Sequence, residues 1–584
     1  MIAELLTLIS LPVSGFILFL YRNYYNDVYK RFQVILKSHK LSNTPEVHDP
    51  IVLQVQSGQI PSWLNGIMYR IGPGRFNIQR DDGSIFSIRH AFDGLPFMHR
   101  FEVDGSTQTL KYNSRMLAKS LETKIKSKAS KGLIFFGHIP EMTFPVWLYN
   151  FYIRFNNLIL FPKSRHDGRP DGQAVGVTVT PNFPLPARIK KTDNENVLVS
   201  KTDANVLQKI HAETLEPQNI FNYTSYDARI KGQLSAAHHQ YDPNTKEIFN
   251  FALTTGPVPR LVVFSTSEAG KVTIMADFTH RKDKSPIQAP YIHSLWLTEN
   301  YVIIPESPMV LKDRGANMLM NGSFLSSISW VKDTPTYCHV IARHPAQEKE
   351  GLVASIPVNP GFFTFHVGNA FEAKNESGET ILTMDAASFC DGDIMHQLHS
   401  FGTPHRKGSA AKKVKQTTLN GISNPPRQQS GFGDLVRYKL NLDQSTTLSI
   451  DTLAKNVEFP RFNQDYALKK ENRFVYGCQL EGFTEKKDET GGLIKVDLTG
   501  QTKPLTFFEE GFNCSEPIFV PNPTGIKEDD GVLLSLVNNF DCCYFIVFDA
   551  SNLKELARIK IGQFIAVTFH GSYVDHEFKS ININ

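Results

Sequence analysis

Cysteine is scarce in this chain: six residues in 584, Cys338, Cys390, Cys478, Cys514, Cys542 and Cys543, with no C-x-x-C pair. The missing pair argues against a structural zinc site. Adjacent Cys542 and Cys543 are a poor start for a disulfide framework, so the thiols point to a reducing compartment on the cytosolic side. Net charge is equally thin. Lys and Arg number 62 against 58 Asp and Glu, and the resulting +4 gives no reason to expect a nucleic-acid partner. Nucleotide and nucleophile words are missing as well. IGPGRF lacks the strand–GxGxxG–helix setting and reads as a turn, and no G-x-S-x-G occurs in a useful context.

Aromatic residues, by contrast, are abundant: 42 Phe, 19 Tyr and 4 Trp. They are first of all ordinary core material, and the count also suits the lining of a long apolar tunnel. With 41% hydrophobic residues a real core forms and wholesale disorder is excluded. From about residue 50 the pattern is short strands and tight turns. One hairpin-like phrase recurs, as VLQKIHAETLEPQNIF, HHQYDPNTKEIFNFAL, RYKLNLDQSTTLSI, LIKVDLTGQTKPLTFF and YFIVFDASNLKELARI. Each is a strand, a polar turn and a second strand. An all-β fold follows, with a β-propeller favoured over a sandwich, although the period is too irregular to count blades.

Three segments depart from this texture. Ile2 to Tyr21 is a run of about 20 mostly apolar residues, the length of a bilayer core, weakened by Glu4 and Pro12. No Lys or Arg precedes it, and Arg22, Lys30 and Arg31 follow, which puts the downstream chain in the cytosol. Residues 1–31 are expected to be a hydrophobic membrane anchor, spanning the bilayer or lying on it, with the catalytic domain (50–584) cytosolic. Residues 119–161 begin with Lys119, Lys124, Lys126, Lys128 and Lys131 and continue apolar and aromatic. Such a segment suits a buried helical cap, a membrane-docking surface, or both. Residues 403–433 carry Arg406, Lys407, Lys412, Lys413, Lys415 and Arg427 and read as a basic flexible surface loop.

Four of the 19 histidines stand in apolar, strand-like words: His238 in QLSAAHHQYDP, His293 in APYIHSLWLTENYVII, His366 in GFFTFHVGNAFE and His570 in FIAVTFHGSYV. They lie too far apart for one helix or hairpin to unite them, so H-E-x-x-H logic has no hold. A propeller could unite them, because its innermost strands meet at one axis. Singly, each reads as a hydrogen-bonded core histidine.

Taken together with PSWLNGIMYRIGPGRF, HAFDGLPFMHRFEVDG, VEFPRFN and SEPIFVPNPTGIKEDDGVLLSLV, these words resemble the carotenoid cleavage oxygenase family over residues 50 to 575. HAFDGLPFMHRF and HSLWLTENYVIIPES look nearest to fungal members. The resemblance implies a seven-bladed β-propeller with a loop and helix dome. It also implies an axial Fe(II) held by His238, His293, His366 and His570, with His239 the competitor for the first place. Outer carboxylates would be Glu458, Glu516 and Asp203. The family usually has Glu at the third position, so the shorter Asp203 makes its contact through a shifted backbone or water, or loses it. Imidazole suits Fe(II), and the carboxylates would fix each ring's tautomer. No side chain beyond the metal centre is expected to act as acid or base. The implied reaction is cleavage of a C=C bond in a carotenoid or apocarotenoid by dioxygen, with the polyene drawn from a membrane lipid surface. The alternatives are a retinoid isomerohydrolase-like enzyme and a non-enzymatic polyene-binding propeller.

Overall fold

The computed structural model describes residues 2–35, 41–127, 131–160, 168–189, 196–346, 351–397, 417–419, 422–424, 432–481, 490–539, 541–578 and 581–582. The chain is all-β apart from a few short helices and one longer one at its start. All five recurring phrases are antiparallel hairpins, such as Leu207–His211 with Pro217–Phe221 and Cys543–Asp549 with Glu555–Gly562. Four sheets hold four strands each, made from residues 178–221, 240–278, 296–358 and 363–454. A ten-stranded path joins two further meanders, residues 457–507 and 518–562, at the short strand Asn513–Cys514. The last sheet pairs the two ends of the domain: Asn65–Arg75 lies antiparallel to His570–Val574, with Ile71 opposite His570.

Burial is graded across each sheet. In the sheet of residues 363–454, strand β1 (Phe363–Lys374) begins buried on both faces, whereas the fourth strand, Thr446–Ala454, is mostly exposed. The first strand of the next meander, β2 (Val457–Arg461), and the closing strand β3 (His570–Val574) are buried throughout. Apolar clusters fill the gaps between successive sheets. One packs residues 236–276 against 287–352, the next 296–358 against 362–442, and another joins Leu64, Met68 and Phe101 to Leu534, Phe545 and Ile559. The last of these packs the C-terminal meander against the N-terminal sheet.

Residues outside the sheets form a cap. Helix α1 (Ile2–Asn23) continues through a π turn and a second short helix to Ile35. Helix α2 (Phe144–Phe155) lies against it, with Trp147 packed on Leu20, Tyr24, Val28 and Phe32. Tyr24, Asp27, Val28, Arg31 and Phe32 are therefore buried in the cap, within or beside the stretch expected as an anchor. Among the described residues no helix is long and apolar enough to cross a membrane. The basic loop expected at 403–433 lies outside the described residues, except for the hairpin Thr417–Leu419 with Ile422–Asn424 and residues from 432 onward.

Candidate metal centre

His238, His293, His366 and His570 come together, fully buried, with one nitrogen from each within 4.8 Å of the others. Three sit at or just ahead of the first strand of their own sheet, and the fourth opens the strand that closes the N-terminal sheet. His238 precedes Gln240–Asp242, His293 precedes Trp296–Leu297, His366 lies in β1 and His570 opens β3. Backbone ties fix the spacing: the His238 N–H donates to the His293 carbonyl at 3.3 Å, and the Ser294 hydroxyl donates to the Phe365 carbonyl.

The Nε2 atoms face one another, with His238 and His366 at 3.0 and 3.1 Å from His570. Adjacent donors around a metal with imidazole bonds of about 2.1 Å would stand about 3.0 Å apart. Burial holds His238 and His366 well below the ordinary histidine range and pushes His570 down to about 3. All three are neutral bases as a result, the form a metal ligand requires. The donor set thus fits a divalent cation of borderline softness such as Fe(II).

Three of the four rings place Nδ1 against a carboxylate. His293 meets Asp203 at 2.9 Å, His366 meets Glu458 at 2.6 Å and His570 meets Glu516 at 2.9 Å. Asp203 reaches its ring directly despite the missing methylene. Its carboxylate is held by the Tyr291 hydroxyl at 2.7 Å and the Ala237 N–H at 3.3 Å. Glu516 is clamped differently. It accepts from Arg70 at 3.0 Å, Arg461 at 3.1 Å and the Gly571 N–H at 2.9 Å. Burial alone would raise it, but Arg461, His570 and Arg70 hold it well below the usual carboxylate range. Glu458 has no such cation, and burial pushes it up to about 8. The competitor His239 turns away from the centre, onto Lys201 and the ring of Phe183.

Tyr291, Arg70, Arg461 and Phe459 went unread in the sequence. A lone arginine inside the apolar run GIMYRIG was the available signal for Arg70, because a buried strand tolerates a guanidinium only where a carboxylate receives it. Gly571 is required by the same clamp, since a Cβ there would stand 2.5 Å from Arg70 Cδ. Phe459 takes φ 57° at an irregularity in the pairing of β2, and its ring stacks on His366 at 4.7 Å.

An apolar chamber adjoins three of the histidines, His293, His366 and His570. Phe92, Val177, Phe365, Phe389, Ile394, Phe432, Phe459 and Phe569 line it, and Glu458 is the sole carboxylate in its wall. Its ligand must therefore be recognised by shape and apolar contact.

Residues 41–575 match the family model described as RPE65, retinal pigment epithelial membrane protein. The chain is 30% identical to a carotenoid dioxygenase of Neurospora crassa, covering 91% of this chain and 89% of that one. It is 28% identical to a torulene dioxygenase of Fusarium fujikuroi, with 88% and 90% covered. Among solved structures it is similar to an apocarotenoid oxygenase mutant of Synechocystis, at TM-score 0.66 and 20% identity, covering 93% of this chain and 98% of that one. A cobalt-substituted form of that oxygenase is as similar in fold, with TM-score 0.66 at 19% identity.

Proposed function

The chain belongs to the RPE65, or retinal pigment epithelial membrane protein, family, and from that premise we propose that it is an iron(II)-dependent dioxygenase that splits a C=C bond of a carotenoid or apocarotenoid into two carbonyl products. One observation carries the reading: four buried imidazoles face one another, and three of them line a chamber walled by phenylalanines. When bound, iron(II) supplies the activation of dioxygen. His238, His293, His366 and His570 would hold it. Asp203, Glu458 and Glu516 would keep Nε2 of their rings turned inward and offset the ion's charge. The aromatic wall excludes water and fixes which double bond of the polyene stands beside the histidines.

A seven-bladed β-propeller is the architecture that supports this convergence. Six four-stranded meanders can be counted if the ten-stranded sheet is taken as two, and the six-stranded sheet that pairs the two ends of the domain makes the seventh unit. Apolar clusters join each to the next, and the seventh to the first. The strands that carry or follow the four histidines then point at a common axis.

Membrane association is favoured by the outer face of the cap. Phe16, Ile17, Leu18 and Phe19 of α1 and Val146, Leu148, Tyr149 and Tyr152 of α2 are exposed. Asp27, Arg31 and Arg154 of the same segments are buried, and burial pushes Arg154 down to about 10, while Arg22 and Lys30 are exposed. An exposed apolar helix face flanked by cations suits a lipid surface, where a polyene substrate would be stored.

The test is expression in carotene-accumulating bacteria, with products identified by mass and repeated with apocarotenoids as substrates. Paired aldehydes incorporating oxygen from dioxygen support the reading. Isomerised alcohols, or intact polyene bound to iron-loaded protein, would overturn it.

A further inference from the structure

A second cavity, of about 30 Å³, shares no lining residue with the apolar chamber. Strand β2 serves both: Glu458 and Phe459 face the chamber, and Pro460 and Arg461 line the second cavity together with Gln240, Tyr241, Asn369 and Gln464. Arg461 is 3% exposed. Its Nε donates to Glu516 at 3.1 Å and its Nη2 to the Gly571 carbonyl at 2.8 Å, while its Nη1 has no hydrogen-bond partner. A buried guanidinium nitrogen left unpaired is costly, and native proteins answer it with a water or an ion.

Charge favours an ion. Glu516 is the ion-pair partner of both Arg461 and Arg70, so two cations share one carboxylate at near-zero exposure. A water would fill the vacancy at Nη1 and leave that excess positive charge uncompensated. Asn369 offers no relief, because its oxygen accepts from the Leu468 N–H and its nitrogen donates to the carbonyls of Tyr466 and Lys469. Gln240, Tyr241 and Gln464 are only half-buried, which leaves the cavity a route to solvent. A space of this size takes about two waters or one small anion.

We infer that this cavity binds a small monovalent anion, of halide or formate size, on Arg461 Nη1. The anion balances the Arg70–Arg461–Glu516 group and so steadies the carboxylate that orients His570. The inference rests on those side chains alone and is independent of which metal the histidines hold.

Bromide is the probe. Crystals of the metal-loaded protein soaked in sodium bromide should show one anomalous peak within hydrogen-bonding distance of Arg461 Nη1. In solution, millimolar chloride should raise the melting temperature of the metal-loaded protein relative to a bulky sulfonate at equal ionic strength, increasing with concentration as a bound ligand requires. Gln464→Glu, which puts a carboxylate into the cavity wall, should melt alike in both salts. Water at Nη1 in the soaked crystal would overturn the inference. So would bromide seen there with a melting temperature that follows ionic strength alone, which is binding at crystal concentration only.

Discussion

Around the histidines, charge is buried and apolar rings face a chamber; in the cap, Asp27, Arg31 and Arg154 are also buried, but the apolar rings of the outer face point outward. Arg70 and Arg461 inside the centre and Arg31 and Arg154 inside the cap are all under 10% exposed, and each donates to interior oxygens. The difference lies in the partners. In the centre the guanidinium groups meet a carboxylate. In the cap Arg154 donates to the carbonyls of Leu319 and Met320, and Arg31 to Ser326, with Asp27 at 3.5 Å. Ionic partners fix a ligand's direction, whereas carbonyl partners hold a helix down and leave its other face free for a different medium.

Breaking the centre should have the largest effect. His366→Ala is expected to purify with less than a tenth of the native iron content by metal analysis, while Glu516→Gln loses about 10–100-fold in metal affinity. Full iron in the His366 variant would end the assignment. Arg70→Met leaves Glu516 short of a cation and should cost about 3–5 kcal/mol in denaturant unfolding, the range for one partner removed from a buried pair. Arg31→Met, whose partners are mostly neutral, should cost about 1–3 kcal/mol. Equal losses would erase the distinction between the two regions.

On the outside of the cap, Phe16→Ser, Tyr149→Ser and Tyr152→Ser combined should reduce partitioning onto liposomes by about a hundredfold, from roughly 1 kcal/mol per side chain. Unfolding should shift by no more than about 0.5 kcal/mol per site. Unchanged partitioning would remove the membrane reading.

Asp93 sharpens the comparison inside the cap. Its carboxylate accepts from the N–H groups of Phe136, Gly137 and His138, yet burial outweighs them and pushes it up to about 6. A raised carboxyl contributes stability that is complete below its unfolded value of 3.8 and is lost as pH rises through 6. Native protein should therefore lose up to about 3 kcal/mol relative to Asp93→Asn between pH 4 and pH 7, read from paired unfolding curves. A constant gap would contradict it. The smallest effect is expected of Asp203→Glu, because Tyr291 and the Ala237 N–H already hold the shorter carboxylate on His293. Iron content should stay within about twofold.

Much of this was legible in one dimension because strands and turns write themselves locally. Alternation and Asp/Asn/Gly turns gave all five hairpins, and the family words located the four histidines and their three carboxylates, Asp203 included. What holds Asp203 was hidden, since Tyr291 precedes His293 by two residues and looks like any strand aromatic. The packing of the N-terminal helix into the cap was hidden for a similar reason. Hydropathy marks Ile2 to Tyr21 as apolar but is silent on whether Tyr24, Val28 and Phe32 pack against Trp147, more than 100 residues away.

The sequence by itself determined the β texture, the family and the identity of the groups at the centre, because residue type and short-range pattern suffice for these. Only the tertiary structure decided that Arg70 and Arg461 share Glu516, that His239 faces Lys201, and that the cap buries Arg31 and Arg154. Each of these depends on which distant side chains close around a group once water has been excluded, and no local pattern encodes that.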